Sequence, residues 1–439
     1  FSSRSSYFKI VNRQNSNQQI GQWASTSLVV GNMIGSGIFL LPASLAAYGG
    51  ISLFGWILSS LGALVLAKVF ALLSKKIPKA GGPYAYTRHG LGDFAGFLVA
   101  WGYWISICCT NAAIAVAMMS YLTVFFPFLA QSPLTAVLIG LGVIWLLTWV
   151  NNRGVKSAAW VQLVTTVLKI TPLIAVAFVG MFFLEIDHFQ PFNLSGENNF
   201  SAIIATATLT LFAFLGIESA TIPSENTESP EKTIPKATLW GTWIAIVVYI
   251  FGSTAVLGII PPETLVNSNA PFADAAAVLW GDSAKYWVAA GAVISTFGAL
   301  NGWILMQGQI PLAAAKDGLF PALFGKLNSR NAPAKGIILS SILISILMSM
   351  NYTKGFTKAF EFMILLSTLT VLVPYLFSSA THILLTLDNK SHKKGTWILG
   401  GLAFVFSMLA VVGSGEEVVF WGFLLLMTGI PFYVFLKRK

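Results

Sequence analysis

Apolar residues along this 439-residue chain gather into a dozen blocks, separated by short charged, polar or Gly/Pro-rich stretches. In the first half the blocks lie near 24–46, 50–73, 94–122, 133–150, 157–184 and 200–223. In the second half they lie near 237–260, 284–313, 335–350, 357–386, 397–412 and 416–436. Most run for roughly 18 to 30 residues without the polar stripe of a soluble amphipathic helix, long enough to cross a hydrocarbon core about 30 Å thick. Backbone groups in lipid must be satisfied within their own segment, so the pattern predicts an all-α polytopic membrane protein with 12 transmembrane helices.

Composition strengthens this reading. The chain is 56% hydrophobic and 10% charged, with a mean hydropathy of +0.75, whereas soluble domains carry about 25% charged residues. So few charges cannot cover a water-facing surface. Residues 1–23 are polar and basic, with no apolar core or small-residue cleavage site, and are expected to be a cytoplasmic tail rather than a signal peptide. Cys108 and Cys109 are sequence neighbours inside one apolar block, a spacing suited neither to a structural disulfide nor to a metal site. No metal or cofactor is expected.

A net charge of +10 raises the question of nucleic acid. The basic residues are, however, divided among many short loops and tails rather than gathered on one face, so no nucleic-acid partner is expected. With the N-terminus inside, the cytoplasmic segments hold Lys75, Lys76, Lys79, Arg88, Arg153, Lys156, Lys232, Lys236, Lys316, Lys326, Arg330, Lys335, Lys390, Lys393 and Lys394, besides both tails. The outer segments hold Lys285, Lys354 and Lys358. The positive-inside rule then places both termini in the cytoplasm. Lys75 to Lys79 and the C-terminal KRK are placed to touch anionic lipid, making the bilayer an expected partner.

Function is sought where a span contains what lipid does not tolerate. The first span reads VVGNMIGSGIFLLP, with Gly31, Asn32, Gly35, Ser36 and Gly37 crowded near its middle. Close helix packing through small residues is one reading. A broken helix whose free N–H groups meet a carboxylate is the other, and Asn32 and Ser36 favour it by adding polar side chains. The sixth span, LTLFAFLGIESATIP, sets Gly216 before Glu218 and Ser219 and invites a second break. The two breaks are five spans apart, the spacing of an inverted repeat covering 24–184 and 200–386, followed by two further helices within 387–439.

Two ionisable groups stand alone in apolar surroundings. An ionised, lipid-facing Glu218 would cost about 2.5–3.5 kcal/mol, so it is expected to face a cavity, either in a proton-linked role or bonded to helix ends or tyrosine hydroxyls. Lys169 in the fifth span lies too deep to snorkel easily and needs a partner. It either bridges helix-end carbonyls and hydroxyls, with Ser295 and Thr296 as candidate partners, or lines a water-filled vestibule. Tyr103, Ser106 and Asn111 in the third span, Phe212 in the sixth, Trp303 in the eighth, and Ser367 and Tyr375 in the tenth complete the set.

In order, GNMIGSGIFLLPASLA, GGPYAY, GYWISICCTN, AFLGIESAT, SPEKTIP, APFADAA, GALNGW, AAAKDGLFP and VPYLF make the chain resemble the amino acid, polyamine and organocation transporter superfamily. The resemblance runs through nearly the whole chain and looks closest to the basic amino acid and polyamine antiporter branch. It implies a LeuT-like fold of five-plus-five inverted repeats, with helices 1 and 6 discontinuous, in a bacterial inner membrane. It implies that Ser36 and Gly37, flanked by Ile34 and Gly35, take the substrate's α-carboxylate, and that Leu215 and Gly216 receive its amino group. It further implies that Asn32 links the first helix to the site, that Ser106, Ile107, Asn111 and Ser367 line a side-chain pocket, and that Trp303 packs on the substrate stem. Glu218, Tyr103 and Tyr375 match positions implicated in gating or proton sensing. Phe212 departs from the arginine/agmatine antiporter's tryptophan, and Lys169 matches other relatives instead.

The expected function is therefore alternating-access exchange of cationic amino acids or their amines, with a homodimer as the expected assembly. Proton-coupled import of neutral amino acids, suggested by Lys169, is the alternative. An enzyme is disfavoured because His89, His188, His382 and His392 are scattered, and a channel because no charge ring or repeated filter is present.

Overall fold

The computed structural model describes residues 21–153, 165, 171–222, 224, 227–351, 355–387 and 396–438. Among them the structure is helical, with no strand, and ten helices are long and apolar enough to cross a membrane. Two further expected spans correspond to shorter apolar helices, Thr171–Gly180 and Ala334–Met350. Most of the fifth span upstream of Thr171, including Lys169, lies outside the described residues. Large apolar side chains such as Leu138, Trp149 and Phe420 are exposed around the outside, as a lipid-facing surface requires.

The first span is two helices, Gln22–Met33 and Ser36–Ala46. Ile34 leaves the helix with φ −76° and ψ 81°, and Gly35 follows with φ −128° and ψ −130°. A side chain at Gly35 would put its Cβ 3.0 Å from the Ala299 Cβ, so the eighth span, Asp282–Lys316, packs directly on the break. The sixth span runs as an α-helix over Asn199–Leu211, capped by the Asn198 side chain accepting from the Ser201 N–H at 2.9 Å. It tightens to a 3₁₀ turn at Phe212–Phe214, extends at Leu215, turns through Gly216 at φ +104° and resumes as a 3₁₀ turn at Ser219–Thr221.

The third span, within Pro83–Leu122, packs lengthwise on the tenth, Phe356–Leu387, and on the eighth. Gly92, at φ 85°, separates a short leading helix from the membrane-crossing part, a break that the apolar block beginning near 94 left unmarked. Across it Arg88 pairs with Asp93 at 3.0 Å and with Asp317, at the end of the eighth span, at 2.7 Å. Lys437 meets Asp93 at 3.0 Å, and the Tyr84 hydroxyl donates to Asp317 at 2.8 Å. The charged side chains among these are a third to a half exposed, so water screens the pairs and they serve registry more than stability. At the opposite end the Tyr121 hydroxyl donates to the Phe39 carbonyl at 2.8 Å and accepts the Phe272 N–H at 3.1 Å. This ties the first and third spans to the short helix Pro271–Trp280, an element that the apolar blocks did not predict.

Candidate functional site

The two breaks meet. A Cβ on Gly37 would lie 3.0 Å from both the Cα and the Cβ of Ala213, and one on Gly216 would lie 3.1 Å from the Asn32 Cβ. The helix Ser36–Ala46 therefore begins beside the irregular segment of the sixth span. Its N-cap, Gly35, supplies no side-chain acceptor, so the first N–H groups of the helix converge with the positive end of its dipole and lack intrahelical partners. Ser36 Oγ and Asn32 Oδ1 are also buried without a hydrogen-bond partner. An arrangement of this kind binds a carboxylate at the amides and a donor-bearing group at the acceptors.

The eighth span holds the unwound segment in place. Asn32 Nδ2 donates to Ser219 Oγ at 2.9 Å and approaches the Met306 sulfur at 3.4 Å, while the Trp303 indole N–H donates to the Asn32 carbonyl at 3.2 Å. Ser295 Oγ reaches the Ile34 carbonyl at 3.5 Å, whereas the Thr296 hydroxyl bonds back to its own helix at Ala292, 2.8 Å. The fifth helix abuts the same face, because Thr165 and Pro172 fill the places that a Cβ on Gly298 or Gly291 would need. Lys169, expected between them, is outside the described residues.

Glu218 is fully buried. The Tyr103 hydroxyl donates to one carboxylate oxygen and the Tyr375 hydroxyl to the other, the latter at 2.8 Å. One carboxylate thus ties the third, sixth and tenth spans together. The Thr221 hydroxyl closes the turn by donating to the Glu218 carbonyl at 2.6 Å.

The polar residues of the third span are divided between two partners. Ser106 Oγ donates to the Ser367 carbonyl at 2.9 Å, Ser367 Oγ donates to the Ser106 carbonyl at 3.0 Å, and Thr110 Oγ1 lies 2.6 Å from Ser367 Oγ. This reciprocal lock joins the third and tenth spans and occupies both serine hydroxyls. Asn111 instead turns to the eighth span, donating to Gln307 Oε1 at 2.8 Å. Phe212 meets Phe360 edge to face, with centroids 5.9 Å apart, and Ile107 and Leu215 are buried beside these groups. Asn32, Ser36, Ser106, Asn111, Phe212, Glu218, Trp303 and Ser367 are all at most 5% exposed, so the site is closed on every side.

Sequence reasoning did not single out Met306, Gln307, Thr110 or Phe360. For Gln307 a signal was present, since an amide in the apolar run ILMQGQIP demands a partner. Met306 and Phe360 are indistinguishable from packing residues by sequence. Among the described residues, no group of three or more His, Cys, Asp or Glu side chains is placed to hold a metal ion.

Trp303→Phe tests the strut beneath the break. It keeps most of the ring but removes the donor to the Asn32 carbonyl, with an expected loss of about 1 kcal/mol of stability. Thermal unfolding in detergent checks this; an unchanged midpoint means that the bond contributes nothing.

Comparison with known proteins converges on one family. The model described as amino acid permease matches residues 20–431. A cadaverine/lysine antiporter of Escherichia coli (strain K12) is 37% identical over 332 residues, covering 74% of this chain and 73% of that protein. The putrescine transporter PotE of Haemophilus influenzae is 31% identical over 428 residues, covering 96% and 98%. In fold, the chain is similar to a crystal structure of the Eremococcus coleocola manganese transporter, with a TM-score of 0.60 at 14% identity over 94% of this chain and 93% of that one. Its multiple membrane-crossing helices and a family match over most of its length show that this chain belongs to the amino acid permease family of membrane transporters.

Proposed function

We propose that the chain is a secondary active transporter that exchanges cationic amino acids and their amines by alternating access. The observation that carries this reading is the meeting of two broken spans around unpaired helix-start amides and the unpartnered acceptors of Asn32 and Ser36. Relatives named for lysine, cadaverine and putrescine support the substrate class. In this reading Gly35, Ser36 and Gly37 take the α-carboxylate, and Leu215 and Gly216 take the amino group. Asn32 joins the halves, Phe212 and Trp303 flank the substrate stem, and Asn111, with Ile107 beside it, faces the side-chain end. Ser106 and Ser367 shape the pocket wall through their lock. Glu218 with Tyr103 and Tyr375 forms the gate, and Lys169, which lies outside the described residues, takes part in coupling with Ser295 and Thr296 as its candidate partners.

The same proposal includes twelve spans as five-plus-five inverted repeats and two added helices. It also places both termini in the cytoplasm of a bacterial inner membrane and makes the assembly a homodimer. Proteoliposome counterflow tests the function. Vesicles preloaded with lysine, ornithine, arginine, cadaverine or putrescine are expected to accelerate uptake of labelled lysine. Uptake of neutral amino acids into empty vesicles, driven by an inward proton gradient, would replace exchange by symport.

A further inference from the structure

A chain of buried polar side chains leads from the site into the fold. Asn111, Gln307 and Ser341 are fully buried, and Thr148 is 2% exposed. Asn111 Nδ2 donates to Gln307 Oε1 at 2.8 Å, and Gln307 Nε2 donates to the Ile337 carbonyl at 3.1 Å and to Ser341 Oγ at 2.9 Å. Ser341 Oγ also bonds the Ile337 carbonyl at 2.9 Å and lies 2.7 Å from Thr148 Oγ1.

The directions of the amide bonds follow from one group. The Ile337 carbonyl can only accept, so the Gln307 nitrogen must face it and the Gln307 oxygen must face Asn111. Asn111 must then present its nitrogen to Gln307, because two amide oxygens would repel. What remains is Asn111 Oδ1, which is buried and has no partner. The ninth span, through a backbone carbonyl, thus dictates that Asn111 offers a lone pair rather than an N–H. A lone pair selects a donor-rich ammonium or guanidinium end and gives nothing to an aliphatic one.

We infer that Gln307 is a positioning residue for substrate specificity: held by Ile337 and Ser341, it fixes the Asn111 amide so that its oxygen reads the cationic end of the substrate. Gln307 acts through Asn111 and touches no substrate itself. The inference rests on the cationic-substrate reading above.

The test measures binding of lysine and of norleucine, which has the same number of carbons but no terminal ammonium, by titration of the purified full chain. The wild-type protein is expected to prefer lysine. Gln307→Met, similar in size but without hydrogen bonds, is expected to weaken lysine binding about tenfold, because the freed Asn111 amide can turn its nitrogen toward the ammonium. Norleucine binding is expected to change less than about twofold. In an Asn111→Ala background, Gln307→Met should add nothing, since the two residues act as one unit. If Gln307→Met does not fold, Ser341→Ala removes one of the two acceptors that hold Gln307. It is expected to weaken lysine binding by about two- to threefold, again with no further effect once Asn111 is alanine. Loss of affinity for both ligands alike, an unchanged lysine preference, or full additivity with Asn111→Ala overturns the inference. A wild-type protein with no preference for lysine overturns the cationic reading itself, and this inference with it.

Discussion

Exchange is expected to fall to background in Glu218→Leu, and the purified variant is expected to be less stable by about 2–6 kcal/mol. Leucine removes the acceptor of two buried tyrosine hydroxyls at once, and each orphaned donor costs about 1–3 kcal/mol. The carboxylate also joins three spans, so its loss frees the third and tenth from the irregular turn of the sixth. Glu218→Gln separates structure from charge. Its amide oxygen can accept from one tyrosine while its nitrogen donates to the oxygen of the other, so the clamp persists and stability is expected to change by about 1 kcal/mol or less. Counterflow by the glutamine variant is nevertheless expected to drop by about tenfold or more, because the proposed gating role asks this side chain to gain and lose a proton, which an amide cannot do. Counterflow equal to wild type across pH 5–8 would reduce Glu218 to a structural acceptor.

Gly216→Ala is expected to abolish exchange almost as completely, for a steric reason. Gly216 sits at φ +104°, where an L side chain is strained by about 1–3 kcal/mol, and the added Cβ would also stand 3.1 Å from Asn32 Cβ and 3.3 Å from Ser219 Oγ. The alanine acts as a wedge at the meeting of the two breaks, where the Asn32–Ser219 bond at 2.9 Å fixes their separation. Counterflow lowered about a hundredfold, with membrane insertion and purification yield retained, is the expected result; transport within about twofold of wild type would show that the breaks need not touch. Gly37→Ala, whose Cβ would press on Ala213 at 3.0 Å, is expected to act in the same direction.

Local chemistry was legible in the sequence. The glycine density of NMIGSG and the GIES turn marked both breaks, since a span with several glycines and polar side chains cannot remain an unbroken lipid-facing helix. An isolated carboxylate in an apolar run marked Glu218 as a group that needs partners, and the structure supplies tyrosines 115 and 157 residues away. The break at Gly92 was less visible, because one glycine at the edge of an apolar block carries little signal.

What the chain determined by itself is whatever depends on residues close in sequence: the apolar blocks, their lengths, and the points where a helix cannot continue. Tertiary structure decided which polar groups satisfy one another. Ser106 and Ser367, 261 residues apart, occupy each other's hydroxyls, while Asn111 turns to Gln307, 196 residues away, and keeps its oxygen unpaired. Helix formation is governed by contacts within a few residues, whereas the pairing of buried donors and acceptors is settled when distant helices pack, and that packing leaves no periodic trace along the chain.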